Sequence, residues 1–147
     1  MGDFADKFAA HLEKTANQRF RREDLEDAQH SVIFRSSVSI KGQHVPLGVI
    51  FDDSIYVIVR ANLASHAVND RNDYEVSHFI ARRNFASKLF KYYLTPDTSV
   101  VLDACIPMLP DNFSPELIET VIRVVIKELA KHQRELTELI WQGQEES

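Results

Sequence analysis

The sequence predicts an α+β fold in which helices pack against one antiparallel five-stranded sheet, in the order α-βββ-α-ββ-α. Three observations lead to this prediction. Near both ends of the chain, apolar residues recur every three or four positions, which is typical of amphipathic helices. Between these ends they alternate with polar residues at a period of two, which is typical of strands. Turn-forming residues separate the alternating runs, so neighbouring strands are expected to pair antiparallel.

The length and the cysteine content predict one domain in a reducing compartment. A chain of 147 residues fits a single domain, 1–147, that can bury most of its surface. The one cysteine, Cys105, cannot form an intramolecular disulfide, which favours the cytoplasm. No apolar run resembles a signal peptide or a membrane helix, so neither is expected.

The charge distribution does not favour a nucleic-acid binder. The formal net charge is −5 and the isoelectric point is about 5.6, whereas phosphate contacts require a basic surface. One dense basic cluster, Arg19, Arg21 and Arg22, is followed at once by acidic residues that begin with Glu23 and Asp24. This alternation is interpreted as a solvated connection between elements.

The first half of the chain is expected to contain one helix and three strands. A narrow apolar stripe predicts a helix from about Asp3 to Asn17. Alternating residues then predict strands over 31–40, 45–51 and 55–64. The third strand is apolar on both faces, which suits a central position. Because Pro46 cannot donate a backbone hydrogen bond, the second strand is expected to start after it or to lie at an edge there.

The second half is expected to contain a helix, a hairpin and a long helix. The turn at 69–73 supplies N-caps for a helix from about Tyr74 to Asn84, and a calcium loop there is disfavoured because the EF-hand spacing is absent. The runs 89–94 and 99–108 predict a hairpin around Thr95-Pro96-Asp97-Thr98. One face of its second strand is apolar, and Asp103 and Cys105 lie on the other.

The last helix has the strongest boundary in the sequence. Ser114-Pro115-Glu116 combines a capping serine, a proline at the first position and an early acidic residue. The apolar stripe continues to about Trp141 and is followed by a polar tail, 142–147. A helix of this length spans about the whole width of the domain. Its far end therefore needs either a partner or the first helix to cover these residues: Leu136, Leu139, Ile140 and Trp141.

No motif in the sequence requires a catalytic, metal or cofactor site. No Gly-x-Ser-x-Gly or phosphate-binding loop is present, and Cys105 is expected to be a small buried residue. The six histidines are scattered, and Glu75 with His78 is only a weak metal candidate. A carboxylate pair of Asp103 with Glu75 or Asp97 is not distinguishable from surface acids. The prediction is a non-enzymatic protein without a cofactor.

An excess of apolar surface is the positive functional signal. Aromatic residues on a sheet face without helices are favoured anchors in protein interfaces. The alternative, in which helices cover both faces and these residues are all core, stays open. The predicted partner or dimer surface combines strand residues with the end of the last helix: Tyr56, Ile58, Phe90, Tyr92, Leu136, Leu139, Ile140 and Trp141.

The segment 90–102, followed by Ser114-Pro115-Glu116-Leu117 and the long helix, resembles the YbjN family of bacterial sensory transduction regulators. The resemblance covers about Val76 to Leu136 well and the first 70 residues by element order. It departs at Thr95-Pro96-Asp97-Thr98, where an acidic-glycine turn is common in the family. The resemblance implies a type III secretion chaperone-like fold and a tendency to dimerise, and it transfers no catalytic residue.

Three functional hypotheses follow. The leading one is a homodimeric, chaperone-like regulatory module that binds a protein partner or client through its sheet and long helix. The second is a small-ligand sensor with a pocket between sheet and helices, lined by Tyr56, Tyr92 and His78. The third is an enzyme of unrecognised type with a cleft that gathers Asp103, His78 and an arginine.

Overall fold

The computed structural model describes residues 2–145 and contains one antiparallel sheet with three helices on one of its faces. The α+β class with an antiparallel sheet is confirmed, but the sheet has six strands rather than five, in the order β1-β2-β3-β4-β6-β5. The strands are β1 Arg21–Asp24, β2 Val32–Ile40, β3 Gln43–Phe51, β4 Tyr56–Ala64, β5 Phe90–Leu94 and β6 Val100–Pro107. The helices are α1 Gly2–Lys14, α2 Asp73–Ala86 and α3 Pro115–Glu145, with a 3₁₀ turn at Pro110–Asn112.

The additional strand is β1, which the sequence analysis interpreted as a solvated connection. All four of its residues are exposed, so the expectation of solvation was right and the expectation of a loop was wrong. β1 pairs with the first part of β2, from Asp24 opposite Val32 to Arg21 opposite Arg35. Its charged residues carry no alternation of apolar and polar positions, because neither face of this edge strand is buried.

The hairpin of β2 and β3 uses a two-residue turn. Lys41 and Gly42 both have positive φ angles, 51° and 85°, which is the geometry of a type I′ turn. β3 starts at Gln43, before Pro46, so the expected start after the proline was wrong. The β4 ladder reaches only Leu47, however, so Pro46 does lie at a local edge, where its missing N–H disrupts no bond.

One face of the sheet and the helices form the core. Every second residue of the long strands points to the helices, including Phe34, Val49, Val59 and Leu102. Phe8 of α1 contacts the ring of Phe34 edge-on at a centroid distance of 5.0 Å. β4 lies between β3 and β6, as its apolar composition predicted.

The start of α3 agrees with its predicted cap, because the Leu117 N–H donates to Ser114 Oγ at 3.1 Å. The helix is longer than predicted and includes residues 142–145, which were expected to be a polar tail; residues 146–147 lie outside the described part of the chain. Leu136 is fully buried and Ile140 is 7% exposed. The far end of α3 is therefore covered largely within this chain.

Asn72 has a different role from the predicted helix cap. It precedes α2, but its side chain makes no capping hydrogen bond. Instead, Nδ2 donates to the carbonyls of Ala67 and Ile140 at 3.0 and 3.3 Å, while Oδ1 accepts from the Asn69 N–H at 2.8 Å. This buried amide joins the start of α2 to the last part of α3.

A buried ion pair joins α2, α3 and β5. Arg83 donates from Nε and Nη2 to the Glu128 carboxylate, both at 2.8 Å, and the Tyr92 hydroxyl donates to the same carboxylate at 2.7 Å. Burial alone would raise the pKa of Glu128, but the hydrogen bonds from Arg83 and Tyr92 outweigh it and lower the pKa. Burial and the bond to Glu128 raise the pKa of Tyr92. The carboxylate is therefore held ionised between two donors.

Replacing this carboxylate should destabilise the fold strongly. We expect Glu128→Gln to lower the free energy of unfolding by about 3 kcal/mol, because it leaves the Arg83 charge without its partner. Glu138→Gln, which breaks the exposed 3.2 Å pair with Arg134, is the matched control and should cost less than about 0.5 kcal/mol. Urea denaturation measures both, and equal effects would contradict a structural role of the buried pair.

The same pair should make stability sensitive to acid. The folded pKa of Glu128 is below its ordinary value of 4.5, so its contribution is present above that value and is lost as pH falls through the folded pKa. Between about pH 5 and pH 3, the unfolding free energy of the native chain should fall more steeply than that of Glu128→Gln. Parallel curves of unfolding free energy against pH would contradict this prediction, because they would mean that Glu128 has the same pKa in the folded and unfolded states.

Candidate functional site

The sheet face opposite the helices is the candidate functional site, and it is named here the open face. No helix of the described chain packs on it, because the buried residues of all three helices contact the other face. The cross-strand register arranges its side chains into rows that run across the strands. Two adjacent rows have different chemistry.

One of these rows, the charged row, crosses the whole sheet. It consists of directly paired residues: Arg21, Arg35, Gly48, Arg60, Asp103 and Lys91. At its centre, Arg60 donates from Nε and Nη2 to the two oxygens of Asp103 at 2.8 and 2.9 Å. The Tyr93 hydroxyl also donates to Asp103, at 2.9 Å. Asp103 is only 5% exposed, so these donors replace its solvent.

The electrostatics of this row follow from the contact between Arg60 and Asp103. The hydrogen bond to Asp103 raises the pKa of Arg60 and outweighs the opposing effect of burial. Burial and the bond to Asp103 raise the pKa of Tyr93. At neutral pH the guanidinium is therefore charged and the phenol is neutral, and the pair adds no net charge to the centre of the face.

The neighbouring row, the apolar row, consists of Ile33, Ile50, Ile58 and Cys105, each opposite the next across the sheet. Tyr56 extends it on the side away from the charged row and is 48% exposed. Cys105 is exposed, so its predicted burial was wrong. The sequence placed Cys105 on the face opposite the buried residues of β6, and the lack of a helix there explains its exposure.

Gly48 lies between Arg35 and Arg60 in the charged row and lines a depression of about 320 Å³. Its φ angle is not in the left-handed region, and a Cβ atom there would meet only Ile33 Cγ2, at 3.5 Å, and the Phe34 carbonyl, at 3.9 Å. Both are ordinary contacts, so nothing in the described part of the chain requires glycine at this position. Glycine within a strand often marks a close approach by a ligand or partner.

The structure divides the predicted partner residues between surface and core. Tyr56 and Ile58 lie on the open face, but Phe90 and Tyr92 point to the helices, and Tyr92 is 2% exposed. Aromatic residues occupy both even- and odd-numbered positions of β5, so the sequence pattern does not show which of them face the helices. At the end of α3, Trp141 is 55% exposed and Leu139 is partly buried. Leu136 and Ile140 are core residues and were wrongly predicted as surface.

The residues of the two alternative sites are not brought together. Tyr56 is on the open face, Tyr92 is in the core, and the His78 ring is exposed on α2, where it stacks with Tyr74 at 6.0 Å. Asp103 and His78 are likewise on opposite sides of the sheet. Within the described residues, no group of three or more His, Cys, Asp and Glu side chains is arranged to hold a metal ion.

Neither a family model, nor a curated protein, nor a solved structure matches this chain. Between residues 2 and 145, no helix combines the length and the apolar content needed to cross a lipid bilayer.

Two glycine substitutions should have opposite effects on stability. We expect Gly48→Ala to be neutral or to stabilise by about 0.5 kcal/mol, because it restricts the unfolded chain without a clash. Gly42→Ala should destabilise by about 1 kcal/mol, because Gly42 has a φ of 85° in the β2–β3 turn. Urea denaturation measures both variants. A large loss for Gly48→Ala would mean that the fold itself requires this glycine.

Proposed function

We propose that the protein is a non-enzymatic protein-binding module that acts as a homodimer, and that its open face is the binding surface. The single observation that carries the proposal is the apolar row, which places three isoleucines and a cysteine side by side on a sheet face without a helix. The three isoleucines are partly exposed and Cys105 is exposed, and contiguous apolar patches on a protein surface mark interaction sites.

The size of the open face supports a second copy as its partner. Strands about 4.8 Å apart and about 20–30 Å long make the open face on the order of 600 Å². A standard interface buries about 800 Å² per partner, so two open faces in contact would reach the lower end of stable interfaces. A dimer that forms at micromolar concentration fits this size.

The charge of the open face also supports self-association. Arg60 is paired with Asp103, and Arg35 donates to Glu23 at 2.6 Å, so the central charges are balanced within each copy. Two copies can therefore bring their apolar rows together without opposing unpaired charges at the centre. An interface of this kind has an apolar core and a polar rim.

We infer a relation to the YbjN family and a type III secretion chaperone-like fold, with a role in regulation. The order α2-β5-β6-α3 and the capped start of α3 at Ser114 support this inference. A cytoplasmic location is proposed because Cys105 is exposed and has no partner cysteine in the chain, which suits a reducing compartment.

The small-ligand hypothesis keeps one specific observation, the depression at Gly48. Arg35 and Arg60 lie directly on either side of Gly48, and each retains N–H groups that its own carboxylate does not use. A small carboxylate would fit these donors. Titration with succinate, followed by thermal unfolding, tests this alternative: a melting temperature that does not change would exclude a tightly bound carboxylate of this size.

A charge in the apolar row should dissociate the dimer. We expect Ile58→Glu to weaken self-association at least about tenfold, because a carboxylate from each copy would have to lose its solvent in the apolar core of the interface. Sedimentation equilibrium at micromolar concentration measures the effect. Phe85→Glu is the matched control, because Phe85 is 94% exposed on α2, away from the open face, and the substitution should leave the dimer intact.

Cys105 gives a second measurement of the same interface. As the one cysteine of the chain, it should react more slowly with a maleimide as protein concentration rises, because the second copy covers it. A monomer at all concentrations would contradict the proposal. Dissociation by Trp141→Ser, with Ile58→Glu still dimeric, would move the interface to the end of α3.

A further inference from the structure

Part of the β2 edge has no strand from residues 2–145 beside it. β1 ends its pairing at Arg35, whereas β2 continues to Ile40. On its inner side, the segment 36–40 is fully paired with β3, from Ser36 opposite Leu47 to Ile40 opposite Gln43. This segment is named here the free edge.

The direction of the backbone groups on the free edge follows from the turn. A two-residue hairpin loop makes Ile40 and Gln43 a hydrogen-bonded pair. The backbone N–H and C=O groups of the even-numbered residues of β2 therefore bond to β3, and those of the odd-numbered residues point away from β3, in the plane of the sheet. The Leu25 N–H, which donates to the outward Ser31 carbonyl at 2.9 Å, agrees with this alternation. Ser37 and Ser39 therefore present N–H and C=O groups to solvent, and no backbone group between residues 2 and 145 binds them.

A groove runs along the free edge on the helix side of the sheet. Its volume is about 290 Å³, and a shallower depression continues it along 36–39. The floor is apolar, with Phe20 before β1, Val38 of β2, and Ile122 and Ile126 of α3. Alternate side chains of an added strand would point into this groove, because successive side chains of a strand lie on opposite faces.

The groove has a positive charge on a chain whose net charge is −5. Arg19 and Arg123 line it, and within the described residues neither guanidinium has a carboxylate partner; Arg123 donates to the Thr120 hydroxyl at 3.0 Å. The one acidic residue of the lining, Glu119, contacts His11 Nε2 at 2.9 Å. Free cations beside an apolar floor favour a strand whose groove-facing positions, which are every second residue, carry both apolar and acidic side chains.

We propose that the free edge binds an extended, acidic segment of a partner protein, which adds as a strand beside β2 and places both apolar and acidic side chains of one face in the groove. Main-chain hydrogen bonds to Ser37 and Ser39 supply affinity, while Arg19 and Arg123 select acidic side chains. A second copy of this chain is disfavoured here, because it would bring two positive grooves together. The proposal is independent of dimerisation through the open face.

Three labelled peptides test the binding by fluorescence anisotropy. The probe is an acetylated and amidated Glu-Thr-Val-Thr-Val-Thr-Glu peptide, in which the Glu and Val side chains share one face and enter the groove together. We expect its Lys-for-Glu analogue, and a version N-methylated at alternate residues, to bind at least about tenfold more weakly, since each loses charge-assisted or main-chain hydrogen bonds. Equal binding of the acidic and basic peptides, or of the N-methylated one, would overturn the proposal.

Variants of the free edge give the matched comparison. Ser37→Pro removes one N–H that points away from β3 and leaves the β3 ladder intact, so it should weaken binding of the acidic peptide about tenfold. Ser37→Ala should change the affinity less than about twofold. If Ser37→Pro fails to fold, the exposed double variant Arg19→Gln with Arg123→Gln should lose a similar factor. Unchanged binding by the folded variants would overturn the proposal.

The Ile58→Glu variant separates this proposal from the dimer. Ile58 is on the open face, away from the free edge, so monomeric Ile58→Glu should bind the acidic peptide with unchanged affinity. If the native chain is monomeric but still binds the peptide, only the open-face proposal is rejected. A dimer without peptide binding would reject only the strand-addition proposal.

Discussion

The packing of α3 against one face of the sheet is the constraint on which the rest of the structure depends. Its buried stripe runs from Ile118 to Ile140, about 33 Å at the rise of an α-helix, and so crosses most of the sheet. Because successive side chains of a strand point to opposite faces of the sheet, every second residue is buried under α3 and the residues between them lie on the open face. Ile58 and Asp103 belong to the outer set. The surface chemistry of this protein is therefore decided by the strand residues that its helices do not cover.

The ion pair at the centre of the open face explains how the sheet can carry a buried acid on that side. Asp103 loses most of its solvent, and its desolvation is offset by two bonds from Arg60 and one from Tyr93. Such a pair adds little net stability, but each partner is costly to remove alone. It joins β4, β6 and β5 in one register, and that register keeps Ile58 opposite Cys105. The charged row thus helps to align the apolar row beside it.

Sequence patterns were sufficient wherever one face of an element is buried and the other is exposed. They located the three helices and the five strands with an apolar face, and they identified Ser114 as a cap, because these features are local. β1 was missed because an edge strand exposed on both sides has no apolar period. The role of Asn72 was missed because its partner, the Ile140 carbonyl, is distant in sequence. Phe90 and Tyr92 were wrongly predicted to lie on the open face, because aromatic residues occur at both even- and odd-numbered positions of β5.

The edges of the sheet show why strand addition and dimerisation can use separate surfaces. β1 consists of four charged residues, which is a common protection of an edge against uncontrolled pairing. The free edge from Ser36 to Ile40 has no charge and no proline of its own, so its strand chemistry does not prevent pairing. Its protection comes from Arg19 and Arg123 beside it, which repel a second positive edge but not an acidic strand. Because these charges lie next to the free edge and not on it, they discriminate between partners while the backbone groups stay available for pairing. Self-association is then confined to the open face, where the central charges are paired within each copy.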